Sequence, residues 1–183
     1  MEGEQVIFHE VKDKLGFYGF TMEPDDVMSL ECAVLEAGDG DYLEIGIQQG
    51  GSAIFVGLLK RRLGQSGKIY GIDNFQNKHS GFDLVVKHAA EFNVEIEAIE
   101  ANSDPWPAGD LRPVVALIDG DHAREWVVKD WRNLSARTGR FILLHDFHTH
   151  PGVKRAVEEV CQKDPAWNYI IGTGNMALFE RRK

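Results

Sequence analysis

Apolar positions along this chain switch between two spacings, one near 3.6 residues and one near two. Residues 24–37, PDDVMSLECAVLEA, carry them at helical intervals behind Pro24 and two acids, which suits a helix's first turn. Gly38-Asp39-Gly40-Asp41 stops that pattern. Residues 42–45 then read as a short apolar strand, and 52–63 as an amphipathic helix ending near Gly64. Residues 68–72 form a second strand that closes at Asp73, 83–92 a helix, and 94–100 a third strand of strict alternation. Pro105 and Pro107 make 102–107 a loop, because prolines at that spacing break any element.

The continuous apolar run at 114–118 marks a strand buried on both faces, and 140–144 repeats it. Helices are predicted at 122–134 and 151–162. At the end, 167–171 and 176–180 read as strands joined by Gly172-Thr173-Gly174-Asn175, an antiparallel hairpin. Five strand–helix units and a hairpin predict a Rossmann-like α/β/α sandwich with a seven-stranded, mainly parallel sheet. Residues 24–183 form that domain and 1–23 a separate N-terminal segment.

The richest stretch is YLEIGIQQGGSA, residues 42–53. Glu44 precedes Gly46, Gly50, Gly51 and Ser52 between a strand and a helix, so a backbone without side chains can pass close under a bound nucleoside. Later strands end on Asp73, on Asp119-Gly120-Asp121-His122 and on His145-Asp146. Open α/β sheets bind ligands at those ends. An acid at the end of the second strand can accept two hydrogen bonds from a vicinal diol, which suits Asp73 to a ribose. Adjacent strands lie about 4.8 Å apart, so Asp119 and His145-Asp146 project into one small volume. Carboxylates gathered there repel one another and invite a cation. His122, with the near-neutral pKa of an ordinary imidazole, suits a general base, and His148 beyond the fifth strand competes for that role.

Composition narrows the partners. A net charge of −9 argues against a nucleic-acid or anionic-membrane surface. No apolar run approaches the roughly 20 residues of a membrane span, and the acidic, mixed N-terminus is unlike a signal peptide, so the expected location is cytoplasmic. Cys32 and Cys161, far apart and within helical patterns, read as buried free thiols.

The order of elements and three strings within it resemble the class I S-adenosylmethionine-dependent methyltransferases over about residues 24–180. Most similar is the compact group that includes the macrocin-type sugar O-methyltransferases. The strings are the glycine loop at 44–52, IDGDH at 118–122 and His145-Asp146, each on the matching element. The resemblance implies S-adenosylmethionine as cofactor, with Glu44 and the loop amides at its amino-acid end and Asp73 on its ribose. Ser103 and Asp104 would meet the adenine, and Asp121 joins the cofactor-binding set. It implies also a divalent metal, magnesium or manganese, on Asp119, Asp146 and position 145. The family commonly has an acid or amide at that third position, and His145 would favour manganese, iron or zinc.

The implied reaction is O-methylation of a small hydroxylated acceptor. A nucleotide-dependent oxidoreductase is the alternative enzyme, though Gln48 breaks the G-x-G-x-x-G spacing. A non-catalytic cofactor-binding module is the other alternative. Three placements stay open for Phe17-Tyr18-Gly19-Phe20: a lid on the site, an arm packed on the sheet, or contact with a second subunit in a homodimer. Trp106 is expected over the adenine, Trp126 and Trp131 in helix packing, and His150 on a loop surface.

Overall fold

The computed structural model describes residues 2–183, with side chains from residue 7 onward. The strands are β1 (Tyr42–Ile45), β2 (Ile69–Asp73), β3 (Ile96–Glu100), β4 (Val115–Ile118), β5 (Phe141–Leu144), β6 (Trp167–Ile171) and β7 (Ala177–Arg181). They form one seven-stranded sheet in the order β3-β2-β1-β4-β5-β7-β6. Every pair is parallel except those that β7 makes with β5 and β6. The helices are α1 (Glu2–Gly19), α2 (Pro24–Ala37), α3 (Gly51–Leu63), α4 (Phe82–Glu91), α5 (Arg124–Ser135) and α6 (Pro151–Glu159).

Alternation within the buried strands assigns the two cores. Tyr42 faces the layer of α1 to α4, with Leu30, Ile54, Phe55 and Val85. Leu43 and Ile45 face α5 and α6, with Val127, Trp131, Ala156 and Val157. The sheet is thus an α/β/α sandwich, as the apolar runs predict.

Register then positions the chemistry. Ile45 pairs with Ile118, and Ile118 with Leu144. Gly46, Asp119 and His145 therefore leave three adjacent strands at one level. From β1 the chain goes on to β2 on one side, whereas from the neighbouring β4 it goes on to β5 on the other, which opens the crevice where such sheets bind ligands.

Some boundaries differ from expectation. α5 begins at Arg124 rather than His122, because Asp121 Oδ1 accepts the Ala123 amide at 2.7 Å and keeps 119–123 as a turn. α6 stops at Glu159, and a 3-10 turn follows at Cys161–Lys163. Cys161 is buried as expected, whereas Cys32 is exposed.

The N-terminal segment divides its residues between two tasks. Ile7, Phe8 and Val11 on α1 are buried in the core, and Phe20 packs on Phe8 and Phe55 with ring centroids 5.5 and 6.2 Å apart. The helix kinks at Gly16, where φ is +67°. Phe17 and Tyr18 stay exposed beyond the kink, and Tyr18 stacks on His79 at 4.0 Å. Among the described residues, no helix is long and apolar enough to cross a membrane.

Candidate active site

A cleft of about 920 Å³ lies at the carboxyl ends of the strands. Gly46, Asp73, Ser103, Asp119, Gly120, Asp121, His122, His145 and Asp146 all line it, so the strand ends converge as expected. Gly46 has φ +92°, and a Cβ there would overlap the Asp119 carbonyl. Only glycine lets β1 and β4 approach so closely at this point.

Asp73 is held from two sides. Its Oδ2 accepts the Gln48 amide at 2.9 Å and its Oδ1 the Phe75 amide at 2.6 Å. Gln48 and Phe75 both adopt φ +52°, a left-handed conformation that these bonds help to hold. A carboxylate has about four acceptor sites, so free lone pairs remain for a ligand.

Glu44, Gly50 and Ser52, expected at the cofactor, do not line this cleft. Alternation points Glu44 into the helical layer, where it accepts from Ser52 Oγ at 2.5 Å and Tyr42 Oη at 3.1 Å. Burial pushes its carboxyl up to about 8, although both bonds favour the charged form. The pair braces the glycine loop from beneath. Gly50 supplies the left-handed N-cap of α3, with φ +90°.

The acid–histidine cluster is denser than the sequence suggests. His145 Nδ1 stands 3.1 Å from Asp119 Oδ1 and 3.6 Å from Asp146 Oδ2. Its Nε2 stands 3.3 Å from Asp26 Oδ2 on α2. Asp146 has φ +61°, and its Oδ1 accepts from Thr149 Oγ1 at 2.6 Å and Asn175 Nδ2 at 2.8 Å. Those bonds leave Oδ2 turned toward the histidines. His122 Nε2 lies 2.8 Å from that oxygen but off the direction in which an N–H donates, so the contact is ionic rather than a hydrogen bond. The His150 ring stacks on His122 at 4.0 Å.

Electrostatics follow from this packing. Asp119 and Asp146 hold the His122 imidazole charged, pushing it up to about 9, well above the near-neutral value expected of it. Burial opposes a charge on His145, but Asp119, Asp146 and Asp26 outweigh that and push it up to about 12. Burial also opposes charge on Asp146, yet His122, His145 and Thr149 hold its carboxyl far below the usual range.

These donors fit a cation. Asp119, His145 and Asp146 offer ligand atoms within 4.8 Å of one another. Bonds of about 2.0–2.2 Å to a small divalent ion put neighbouring ligands roughly 3.0–3.6 Å apart. Asp26 on Nε2 would orient the ring so that Nδ1 faces the carboxylates. The same point can instead carry a proton on His145. Either way positive charge is held among three acids.

Other expected residues fall elsewhere. The exposed His148 does not line the cleft: its ring packs edge-on against Phe147 at 4.7 Å, and its backbone amide donates to Asn175 Oδ1 at 2.7 Å. His150 is on the loop surface as expected and outside the cleft lining, but its Nε2 reaches to 3.8 Å from Asp146 Oδ2. Trp106 donates to the Gly109 carbonyl and stacks on Arg137 instead of covering the cleft, while Trp126 lines it and only Trp131 joins the core. The Ser103 hydroxyl donates to Asp130, and Asp104 pairs with Lys129 at 3.2 Å. Nothing in the sequence pattern marks Asp26, Asn175 or Asp130 for the site. Asp26 has the signature of a helix's first turn and Asn175 that of a hairpin turn, which is where each of them also sits.

Comparison with protein families matches residues 43–147 to one described as a methyltransferase domain, more than half of the chain. The chain belongs to that family. Family membership sets aside the oxidoreductase alternative and bears out the resemblance to class I S-adenosylmethionine-dependent methyltransferases. A search of curated proteins finds no match. Among solved structures, this methyltransferase is similar to a Bacillus cereus O-methyltransferase in complex with SAH, with TM-score 0.68 and 15% identity over 97% of this chain and 91% of that one. It is similar to the O-methyltransferase TomG from Streptomyces achromogenes in complex with SAM, with TM-score 0.67 and 14% identity over 95% and 90%. A 16S rRNA methyltransferase of T. thermophilus, complexed with AdoMet and guanosine, aligns with TM-score 0.61 and 13% identity over 88% of this chain and 43% of that one. At such identities the likeness is one of fold.

Proposed function

We propose that this methyltransferase moves the methyl group of S-adenosylmethionine to a hydroxyl oxygen of a small acceptor, aided by a divalent cation on Asp119, His145 and Asp146. One observation carries the reading: the glycine loop, Asp73 and the acid–histidine cluster all face a single cleft. Gly46 gives the donor a close approach to the backbone, and Asp73 accepts from its ribose hydroxyls. When bound, the cation supplies Lewis acidity that makes a nearby hydroxyl more acidic. His122, in its neutral form, takes the acceptor proton as the new C–O bond forms and the methyl–sulfur bond breaks. Holding donor and acceptor in line does much of the remaining work.

Charge narrows the acceptor. Asp73, Asp119, Asp121, Asp130 and Asp146 line the cleft, and no lysine or arginine does among the described residues. Even partly offset by His122, His145 and a cation, such a wall disfavours phosphorylated or carboxylated acceptors and a polynucleotide. An uncharged or cationic hydroxylated molecule fits. The test is mass spectrometry of neutral, cationic and anionic catechols and glycosides incubated with the donor and Mn²⁺. A methyl group found only on nitrogen or carbon, or only on the anionic acceptors, would sink the reading.

A further inference from the structure

Asp146 serves two clusters of ligand atoms, of which methyl transfer uses the inner one. The outer cluster is His122, Asp146 and His150, whose ligand atoms also lie within 4.8 Å of one another. The fold assembles it from the turn after β4, the chain just past β5 and the N-cap of α6. A Cβ at Gly152 would overlap the His122 carbonyl, so glycine there lets the start of α6 close on that turn. The His150 amide donates to the Asp146 carbonyl at 3.0 Å, which fixes the loop between them. With Asp146 Oδ1 taken by Thr149 and Asn175, Oδ2 is the oxygen that both clusters share.

The decisive feature is His122 Nε2. That nitrogen is buried and has no hydrogen-bond partner, yet it stands 2.8 Å from Asp146 Oδ2. Two ligands about 2.1 Å from one ion in neighbouring coordination positions stand roughly 3 Å apart, each about 45° off the other's lone pair. That is close, and too oblique for a hydrogen bond. His150 Nε2, 3.8 Å from the same oxygen, completes the set once its exposed ring tips out of the 4.0 Å stack on His122. Two imidazoles and a carboxylate, with positions open to water, suit Zn²⁺. Mn²⁺ stands at the foot of the affinity order for such donors, which leaves it to the inner trio. We propose that His122, Asp146 and His150 form a second, outer cation site for a zinc-like ion, and that filling it silences the enzyme. A neutral imidazole has one free lone pair, and an ion that takes it leaves none for an acceptor's proton. The silencing rests on His122 being the base; the site itself does not.

Calorimetric titration with Zn²⁺ tests the site without any acceptor. The wild type should take up two ions per chain, His150→Ala one fewer, and Asp119→Asn should keep the outer one. A single ion in the wild type, lost in His150→Ala but kept in Asp119→Asn, supports the outer site and removes the inner cation of the proposed reaction. No uptake by the wild type overturns the site, whether or not the variants fold. So does an ion count that His150→Ala leaves unchanged, or a single ion that needs Asp119. Silencing is read from methyl transfer with Mn²⁺ saturating and Zn²⁺ added. The Zn²⁺ concentration that halves the rate should rise at least about tenfold in His150→Ala, each protein being compared with its own zinc-free rate, since losing even a supporting partner costs a metal site that much. An unchanged value overturns the silencing.

Discussion

His145 and Asp26, 119 positions apart in sequence, meet beneath the cleft with Nε2 and Oδ2 separated by 3.3 Å. The other Asp26 oxygen accepts the Asn175 amide at 2.5 Å, so one side chain ties the start of α2 and the hairpin turn to the end of β5. Asp26 also accepts the Glu23 amide at 3.0 Å, within the capping box of α2. Its dual task explains why an acid suited to a helix's first turn is buried at the site.

Asp26→Ala should leave the His145 ring without its buried partner. Breaking such a pair costs about 3–5 kcal/mol, and lost capping adds to it. Urea denaturation of the variant should show a loss of that order. A change within experimental error would mean that the contact does not hold the site together.

Asp73→Ala should weaken S-adenosylhomocysteine binding at least tenfold, as each charge-assisted hydrogen bond lost is worth about 1.5–3 kcal/mol. The variant should also lose some stability, because the left-handed Gln48 and Phe75 lose the acceptor they share. Unchanged affinity by calorimetry removes Asp73 from the donor site.

Mn²⁺ should raise the thermal midpoint of the wild type, because a cation that binds only the folded form stabilises it. Asp119→Asn and Asp146→Asn should abolish the shift. Mg²⁺ should give a smaller one, since a nitrogen donor favours later transition metals. Were no cation to shift the midpoint, the cluster would be an ion-paired network around protonated His145.

Stability of the cation-free protein should fall as pH rises from about 4.5 to 9. Glu44 keeps its proton in the fold up to about 8 but releases it from 4.5 when unfolded, so its share declines across that window. His122 is raised from 6.5 to about 9, so its share is complete below 6.5 and lost as pH climbs through 9. Glu44→Gln should flatten the slope between 4.5 and 8 in denaturation series at several pH values. An unchanged slope would place the Glu44 ionisation elsewhere.

His122→Ala should lower turnover by roughly 10²–10⁴ while sparing donor binding. In the wild type the rate should rise with pH through a single ionisation, because the imidazole accepts a proton only when neutral. His148→Ala should leave turnover and its pH profile intact, as that side chain stands outside the cleft. The opposite pattern in steady-state kinetics would move the role of base to His148.

The pattern along the chain is enough for the elements from residue 24 onward, though not for α1. Local rules suffice for that: the apolar runs of β4 and β5 admit burial on both faces, and Gly46 permits a close passage that no side chain does. It also determined which acids and histidines end the strands. Which of them cooperate depends on long-range contacts. Asp26 and Asn175 come from a helix start and a hairpin turn, each with a sufficient local reason to be polar, so nothing in their spacing marks them for the site. His148 and His150 lie two positions apart in one loop, and the Asn175 bond to the His148 amide together with the His150–His122 stack determines which one reaches the cluster. Side-chain direction in a loop is set by long-range partners, and those exist only once the sheet has brought β5, β7 and α2 together.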